Sequence, residues 1–396
     1  MIKFDFSTYV NKFINENDYN SLMNRKDEII SKFNICNMIG WTEEIDESLI
    51  NDIKMTAENI KKRFDCMVVI GIGGSFLGSY AFDNIFSRYF DNNNFEVIYA
   101  GTSLSSEYLD ELIEYLNDKN FCINVISKSG TTMETAITFN VLKDLLKRKY
   151  PVNNIPAHII ATTDKEKGLL REEADREGYK TFIIPNNIGG RYSFITPAHL
   201  LPLALNYDLD SIVSGYYHGK RLMDEAYNYA VTRKLLFDNK KVVENFCIYE
   251  PKMDYFVEWL KQLFGESEGK NGVGILPMST VHTRDLHSLG QFIQEGNKLL
   301  FETFIKISKN DYYIRYENRD LNEINNIVLD SVIRAHYSGG VPCIEIELDE
   351  LSIDNIGQLI YFFQLSAAFS SLLFDVDPFN QPGVEVYKKE VRESLN

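Results

Sequence analysis

The chain has 396 residues, 44% of them hydrophobic and 25% charged, an ordinary composition for a globular protein with room for two domains. Its formal net charge of −16 argues against nucleic acid and against an anionic membrane surface as partners. The N-terminus lacks a signal-peptide pattern, and no uninterrupted apolar run approaches the length of a membrane span. We therefore expect a cytoplasmic protein whose five widely spaced cysteines, without a Cys-x-x-Cys pair, are reduced thiols.

To about residue 63, charged and apolar residues at helical spacing predict helices that carry little chemistry. From residue 67 onwards, short apolar runs alternate with helical patterns, which indicates βαβ units and a parallel sheet with helices on both faces. The runs that predict strands in this part are residues 67–71, 96–100, 122–127, 158–162 and 181–184. The segments that predict the helices between them are residues 75–89, 105–116, 132–148 and 165–177.

This alternation stops around residues 202–210, where a long helical stretch begins that extends to about residue 238. A second series follows, with predicted strands at residues 243–249, 273–277, 299–307 and 343–348. Its predicted helices are residues 253–264, 287–294, 321–336 and 355–374. The pattern predicts an α/β protein with two domains of similar type: residues 1–205, with the N-terminal helices, and residues 206–396, with a C-terminal helix.

The first predicted strand leads into GIGGS at residues 71–75, which we call the glycine turn. A strand–turn–helix junction exposes backbone N–H groups and the positive end of a helix dipole, so Gly74 and Ser75 are candidates for an anion site. The dinucleotide-binding pattern is not met, because Phe76 occupies the position of its third glycine and the second strand ends without an acid for a ribose. A turn that only joins a strand to a helix is the alternative at this motif.

The third predicted strand is followed by SKSGTT at residues 127–132, which we call the hydroxyl loop. Several hydroxyls, the Lys128 ammonium and the amides at a helix start can bind a phosphate monoester, whereas a simple helix cap needs one hydroxyl. Ligands of open α/β sheets bind at the carboxyl ends of the strands. We therefore expect the hydroxyl loop and the glycine turn to converge on one crevice.

The fifth predicted strand is followed by GGRYS at residues 189–193, which we call the arginine loop. Its glycines allow close approach to a ligand and Arg191 can bind an oxyanion, although a surface arginine after a turn is common. Further along, GESEGK at residues 265–270 lacks the glycine spacing and the final Ser/Thr of a nucleotide-binding loop, and leaves Glu266 as a carboxylate of interest if it faces the crevice. None of the six histidines has a spacing such as His-x-x-x-His, so we expect no metal site.

In this order the motifs resemble those of the glucose-6-phosphate isomerase family. The most specific segments are NIGGRYS at residues 187–193 and FNQPGVEVYK at residues 379–388, and the resemblance covers about residues 67–388. It implies two α/β sandwich domains of the sugar-isomerase (SIS) type. It also implies a glycolytic and gluconeogenic isomerase that interconverts glucose 6-phosphate and fructose 6-phosphate through a cis-enediolate.

By this resemblance, Glu266 is the base that moves a proton between C2 and C1, and Arg191 stabilises the enediolate. His287 and Lys388 match the groups that open the sugar ring, and His287 is contributed by the partner subunit of a homodimer. The positions that match contacts to the substrate or its phosphate are Gly74, Ser75, Ser127, Lys128, Ser129, Thr132, Gln262 and Gln381. No cofactor is implied.

Two residues depart from the commoner pattern: Tyr387 stands where many members have a smaller residue, and Glu268, which adds a second acid, is expected to point to solvent. One alternative is another sugar-phosphate enzyme on the same domains, such as a pentose-phosphate isomerase or an aminosugar-phosphate synthase. The synthase would need a cysteine at position 2, where this chain has Ile2. The other alternative is a sugar-phosphate sensor, which often carries a DNA-binding domain, but this chain shows no basic helix.

Overall fold

The computed structural model describes residues 1–90 and 94–395. In chain order, the described strands are β1 (Ile2–Asp5), β2 (Cys66–Ile70), β3 (Glu96–Ala100), β4 (Phe121–Ile126), β5 (Ile159–Thr163), β6 (Lys180–Ile183), β7 (Val243–Ile248), β8 (Leu276–Val281), β9 (Leu300–Ile307), β10 (Arg315–Tyr316), β11 (Arg319–Asp320) and β12 (Cys343–Leu348). The described α-helices are α1 (Glu16–Met23), α2 (Lys26–Asn34), α3 (Glu47–Arg63), α4 (Leu77–Phe86), α5 (Ser106–Asn117), α6 (Met133–Lys149), α7 (Leu169–Glu177), α8 (Pro197–Leu203), α9 (Leu209–His218), α10 (Met223–Asp238), α11 (Asp254–Glu268), α12 (Gly290–Glu295), α13 (Leu321–Ser338), α14 (Ile353–Leu373) and α15 (Pro382–Leu395).

The chain forms two compact units whose boundaries differ from the predicted ones. The middle unit comprises residues 37–213, and the terminal unit comprises residues 1–36 together with residues 214–396. The first 36 residues therefore belong with the C-terminal half, and not with the first sheet as predicted. The reason is that β1 pairs antiparallel with β12, a contact between chain ends that no local pattern reveals.

The middle unit contains a five-stranded sheet in the order β3-β2-β4-β5-β6, in which every pairing is parallel. All residues of β2, β4 and β5 are buried, as expected for central strands covered by helices on both faces. Residues such as Val68, Ile123 and Leu142 form the core against this sheet. The five predicted strands of this part are confirmed to within one residue at every end.

The terminal unit contains a second five-stranded sheet in the order β1-β12-β9-β7-β8. Its β7, β8, β9 and β12 are parallel, and β1 adds an antiparallel edge strand. The N-terminal segment was predicted to be helical, so β1 was missed, and the strand predicted at residues 273–277 lies further along, at Leu276–Val281. The α/β fold class with parallel sheets is confirmed.

Helix α14 lies at the centre of the terminal unit. It has 21 residues and is long and apolar enough to cross a membrane, which the sequence analysis did not anticipate, but 94% of its apolar window is buried inside the protein. Its Tyr361 ring packs edge-on against Tyr216 of α9, with ring centroids 5.0 Å apart. Burial on all sides is the property of a core helix of a globular unit.

The five cysteines are all free, as predicted. Cys36 is half-buried, and the other four, Cys66, Cys122, Cys247 and Cys343, are buried. Burial raises the pKa of the Cys66 thiol to about 12, because the thiolate would lose its hydration. A thiol with a raised pKa is protonated at neutral pH.

Candidate active site

In the middle unit, the glycine turn follows β2 at the carboxyl end of the sheet. Gly73 has a φ of 54°, which favours glycine, and residues Gly73–Ser75 form a short 3-10 turn before α4 begins at Leu77. The Gly71 N–H donates to the Ala100 carbonyl, so the strand pairing with β3 continues into the turn. Ser75 is half-buried, and the helix starts two residues later than the sequence suggested.

The hydroxyl loop joins β4 to α6 at the same end of the sheet. Ser127 is buried and its Oγ accepts from the Gly130 N–H at 3.0 Å, while the Ser129 and Thr131 hydroxyls lie 2.7 Å apart. Thr132 is the N-cap residue of α6, but its side chain makes no capping hydrogen bond. The Thr132 hydroxyl therefore does not cap α6, so the interpretation of this loop as a simple helix cap does not account for it.

Lys128 is half-buried, and its ammonium does not point away from the protein. Its Nζ donates to the carbonyl oxygens of Pro185 at 3.2 Å and Asn186 at 3.4 Å, in the segment after β6. Burial lowers the pKa of Lys128, and the nearby Asp164 carboxylate acts in the opposite direction. The predicted cation thus lies between the hydroxyl loop and the chain that leads to the arginine loop.

The arginine loop touches the glycine turn backbone to backbone. Ser193 Oγ donates towards the carbonyl oxygens of Gly190 at 2.6 Å and Gly74 at 3.1 Å. A Cβ built on Gly74 would lie 2.3 Å from the Gly190 carbonyl carbon, so only glycine permits this approach. The structure therefore brings the arginine loop against the glycine turn, and the convergence of the hydroxyl loop with the glycine turn stays a prediction.

His199, on α8, stabilises this contact through hydrogen bonds to Gly74 and Ser79. The sequence did not predict it as a site residue. The Ser79 N–H donates to its Nδ1 at 3.0 Å, so the proton is on Nε2, which donates to the Gly74 carbonyl at 2.8 Å. Complete burial lowers the pKa of His199 to about 4 and keeps the ring neutral. A buried histidine next to a glycine contact has no local sequence signal, because its partners are distant in sequence.

Arg191 is 1% exposed, so it is not the surface arginine of the alternative interpretation. Its guanidinium carbon lies 5.6 Å from the centre of the Tyr192 ring, and Trp41 stacks on the same ring with centroids 5.4 Å apart. An arginine against a rigid aromatic pair has few alternative rotamers. The planar cation is therefore held in one orientation.

In the terminal unit, Glu266 lies in the last turn of α11 and is half-buried. Gln262, one turn earlier on the same face, donates from Nε2 to Glu266 Oε1 at 3.1 Å. Gln381, which precedes α15, donates from Nε2 to Glu266 Oε2 at 2.8 Å. The structure thus brings together three of the predicted residues and fixes each oxygen of the carboxylate.

Glu268 was expected to point to solvent, and this expectation is wrong. The residue is fully buried and forms a salt bridge with Arg233 of α10, which also binds the buried Glu244 at 2.7 Å. Burial raises the pKa of Glu268, and the Arg233 guanidinium opposes this effect. The side chain of Glu268 therefore belongs to the core of the terminal unit.

The two residues assigned to ring opening are both exposed. His287 is the last residue of the 3-10 turn Arg284–His287. Lys388 lies on α15, where its Nζ donates to Glu385 Oε1 at 2.9 Å, and Tyr387 beside it is 58% exposed. The roles of His287 and Lys388 in ring opening stay predictions.

Two cavities of the terminal unit are lined by other residues. The larger, of about 580 Å³, is bordered by residues that include Phe4, Tyr19 and Asn228. The smaller, of about 40 Å³, is bordered by residues that include Tyr249 and Ser308. Neither of these two cavities is lined by a predicted site residue.

Comparison with known proteins identifies the family. Residues 46–328 match the family model described as phosphoglucose isomerase. The glucose-6-phosphate isomerase of Mycoplasmopsis pulmonis is 43% identical, over 96% of this chain and 97% of the relative, and that of Streptococcus thermophilus is 41% identical, over 98% and 95%.

Solved structures share the fold of this chain. A hypothetical protein from Thermus thermophilus superimposes with a TM-score of 0.87 at 26% identity over the full length of both chains. A glucose-6-phosphate isomerase from Chlamydia trachomatis superimposes with a TM-score of 0.78 at 18% identity, over 91% of this chain and 77% of the other, a likeness that concerns the fold. The chain belongs to the phosphoglucose isomerase family and is an enzyme of the isomerase class.

Proposed function

We propose that the chain interconverts glucose 6-phosphate and fructose 6-phosphate by moving one proton between C2 and C1 through a cis-enediolate, with Glu266 as the base. The observation that carries the proposal is the fixed Glu266 carboxylate, whose two oxygens accept from Gln262 and Gln381 at 3.1 and 2.8 Å. A base held in one orientation loses little freedom when it meets the acidic C–H next to a carbonyl. Gln262 Oε1 is buried and has no hydrogen-bond partner among the described residues, so it can accept from a substrate hydroxyl.

Arg191 is the proposed stabiliser of the enediolate. Removal of the proton places negative charge on the sugar oxygens, and a guanidinium binds such oxygens with parallel N–H donors. The ring stack of Tyr192 and Trp41 supports this role because the cation need not reorganise when the charge develops. An interaction that strengthens only with that charge lowers the barrier of the reaction.

The hydroxyl loop is the proposed phosphate site. Thr132 and Ser129 supply hydroxyls, the start of α6 supplies backbone N–H groups, and Lys128 supplies positive charge to a dianion. Ser127 Oγ accepts from the Gly130 N–H, which orders the loop, and its own O–H can still donate to the phosphate. These groups make the site locally positive, which is needed because the net charge of −16 of the whole chain repels an anionic substrate.

We assign opening of the sugar ring to His287 and Lys388, one as acid and the other as base across the ring oxygen and the anomeric hydroxyl. The enzyme is proposed to be a homodimer in which His287 acts in the site of the partner subunit. The exposure of His287 in its own unit is compatible with this role. The reduced cysteines fit an enzyme of the cytoplasm.

The substitution Glu266→Gln tests the base directly, because it keeps the shape of the side chain and removes its ability to take a proton. We expect kcat to fall by about 10² to 10⁴ while a phosphorylated sugar acid still binds with similar affinity. The control is Glu258→Gln on the same helix, where the glutamate forms a surface pair with Lys261. If Glu266→Gln keeps most of the activity, Glu266 is not the base.

A further inference from the structure

A second group of chemically competent side chains lies inside the terminal unit, and the proposed reaction does not use it. It consists of Cys247 on β7, His282 directly after β8, and Glu302 on β9, and one ligand atom from each lies within 4.8 Å of the others. Their exposed fractions are 0%, 3% and 0%. A thiol, an imidazole and a carboxylate thus meet in a place that water does not reach.

The register of the sheet explains why these side chains meet. Cys247 pairs with Thr280 on β8, and Glu302 pairs with Asn245, two residues before Cys247 on β7. Residues two apart on a strand share a face, so Cys247, His282 and Glu302 project from the same side of three neighbouring strands. Central parallel strands are normally apolar on both faces, so a polar group here calls for an explanation.

His282 is the residue whose bonding is incomplete. Its Nδ1 lies 3.3 Å from the Tyr249 hydroxyl, whereas its Nε2 is buried and has no hydrogen-bond partner among the described residues. A buried nitrogen without a partner lowers stability, because it has lost its hydrogen bonds to water without replacement. This nitrogen is therefore available to a ligand that the chain itself does not supply.

The surrounding side chains orient the cluster as outer partners orient metal ligands. His336 Nδ1 donates to Glu302 Oε2 at 2.6 Å, and Asn245 Nδ2 donates to Glu302 Oε1 at 3.1 Å. The same amide lies 3.1 Å from Cys247 Sγ. Hydrogen bonds of this kind fix the direction of a ligand and adjust its basicity.

We propose that Cys247, His282 and Glu302 bind a zinc ion. Thiolate sulfur, imidazole nitrogen and carboxylate oxygen are the ligands zinc takes in proteins, and two anionic ligands balance its charge. Binding would satisfy His282 Nε2 and tie β7, β8 and β9 together. The three ligands are separated by 35 and 20 residues in sequence, so they form no short spacing motif that could be recognised from the sequence.

The test measures the metal content of the purified chain and of the chain refolded with zinc. We expect about one zinc ion per chain, lost in Cys247→Ser and in His282→Phe but kept in the control Cys36→Ser, which removes a half-buried thiol elsewhere. Replacement of zinc by cobalt should give a thiolate-to-metal absorption band, which must survive Cys36→Ser and disappear in Cys247→Ser. Circular dichroism shows whether each variant folds.

Two results would overturn the proposal. One is a wild-type chain that contains no zinc either as purified or after refolding with zinc. The other is metal that Cys247→Ser and His282→Phe retain while they are folded, since that metal would be adventitious and surface-bound. If both variants fail to fold, the cobalt spectrum of the Cys36→Ser chain decides, because a missing thiolate band rules out Cys247 as a ligand.

Discussion

Gly74→Ala should separate the glycine turn from the arginine loop. The new Cβ would lie 2.3 Å from the Gly190 carbonyl carbon, 2.4 Å from the Gly190 oxygen and 2.7 Å from the Arg191 nitrogen. Ordinary contact begins at 3.4 Å, so the shortest of these distances must grow by roughly 1.1 Å. All three atoms belong to the main chain, and no change of rotamer can remove the clash.

The size of the loss in activity and stability depends on the hydrogen bonds that hold Gly74 in place. Its carbonyl accepts from Ser193 Oγ and from His199 Nε2, so the turn cannot retreat without loss of these bonds. The backbone at Arg191 must therefore move by about 1 Å, and a misplacement of that size can reduce a rate by about 10². Forcing one extra methyl into the packed contact should also lower the free energy of unfolding by about 1–3 kcal/mol.

A matched control exists in the same loop. A Cβ on Gly189 has only Met38 Cε near it, at 3.9 Å, so Gly189→Ala should leave both activity and stability close to wild type. The assay measures kcat and KM for isomerisation in both directions, with urea unfolding of each variant. If folded Gly74→Ala keeps a kcat/KM within about threefold of Gly189→Ala, the close approach does not position Arg191, and the reasoning is refuted.

Three further predictions concern charge, pH and assembly. Arg233→Met should lower the free energy of unfolding by about 3–5 kcal/mol, because two buried glutamates lose their cation, whereas Lys234→Met on the same helix should cost less than about 1 kcal/mol. Urea unfolding measures both changes, and equal decreases in the free energy of unfolding would contradict a stabilising role of the buried salt bridges of Arg233. Between pH 7 and pH 5, His199 should lower the free energy of unfolding of the wild type by about 2 kcal/mol. The reason is that the histidine of the unfolded chain takes a proton near pH 6.5, whereas the folded histidine, whose pKa is lowered, takes one only near pH 4. His199→Gln should lack that part of the pH slope, and an unchanged slope would show that another group causes it. Mixed and re-associated chains of Glu266→Gln and His287→Ala should regain about a quarter of wild-type activity if His287 acts across the dimer, and none if it acts within its own chain.

The sequence predicted most of the two sheets because their signal is local. The predicted strands at residues 96–100 and 343–348 coincide with β3 and β12. The first is a mainly apolar run and the second alternates apolar residues with glutamates, and both are local strand patterns. Strand β1 was missed because it is four residues long and depends on β12, more than 330 residues away. The same pairing places residues 1–36 in the terminal unit, whereas the predicted boundary after residue 205 lies eight residues before the end of the middle unit at residue 213.

The candidate site shows a similar division. The glycine turn and the arginine loop were found because each is a continuous segment with an unusual composition. His199 was missed because its partners Gly74 and Ser79 lie 125 and 120 residues away in sequence. A residue that acts by holding another residue in place does so through contacts made by the fold, so its function is invisible until the fold is known.

Glu268 shows how a small error in one helix end reverses the interpretation of a side chain. The predicted helix ended at residue 264, directly before Gly265, and glycine disfavours a helix interior. In the structure α11 continues to Glu268, and residues two apart on a helix point to nearly opposite sides. With Glu266 on the side that Gln262 and Gln381 contact, Glu268 must enter the core, where a charge needs a buried partner. Arg233 provides that partner, so the acid next to the proposed base serves the stability of the unit that carries it.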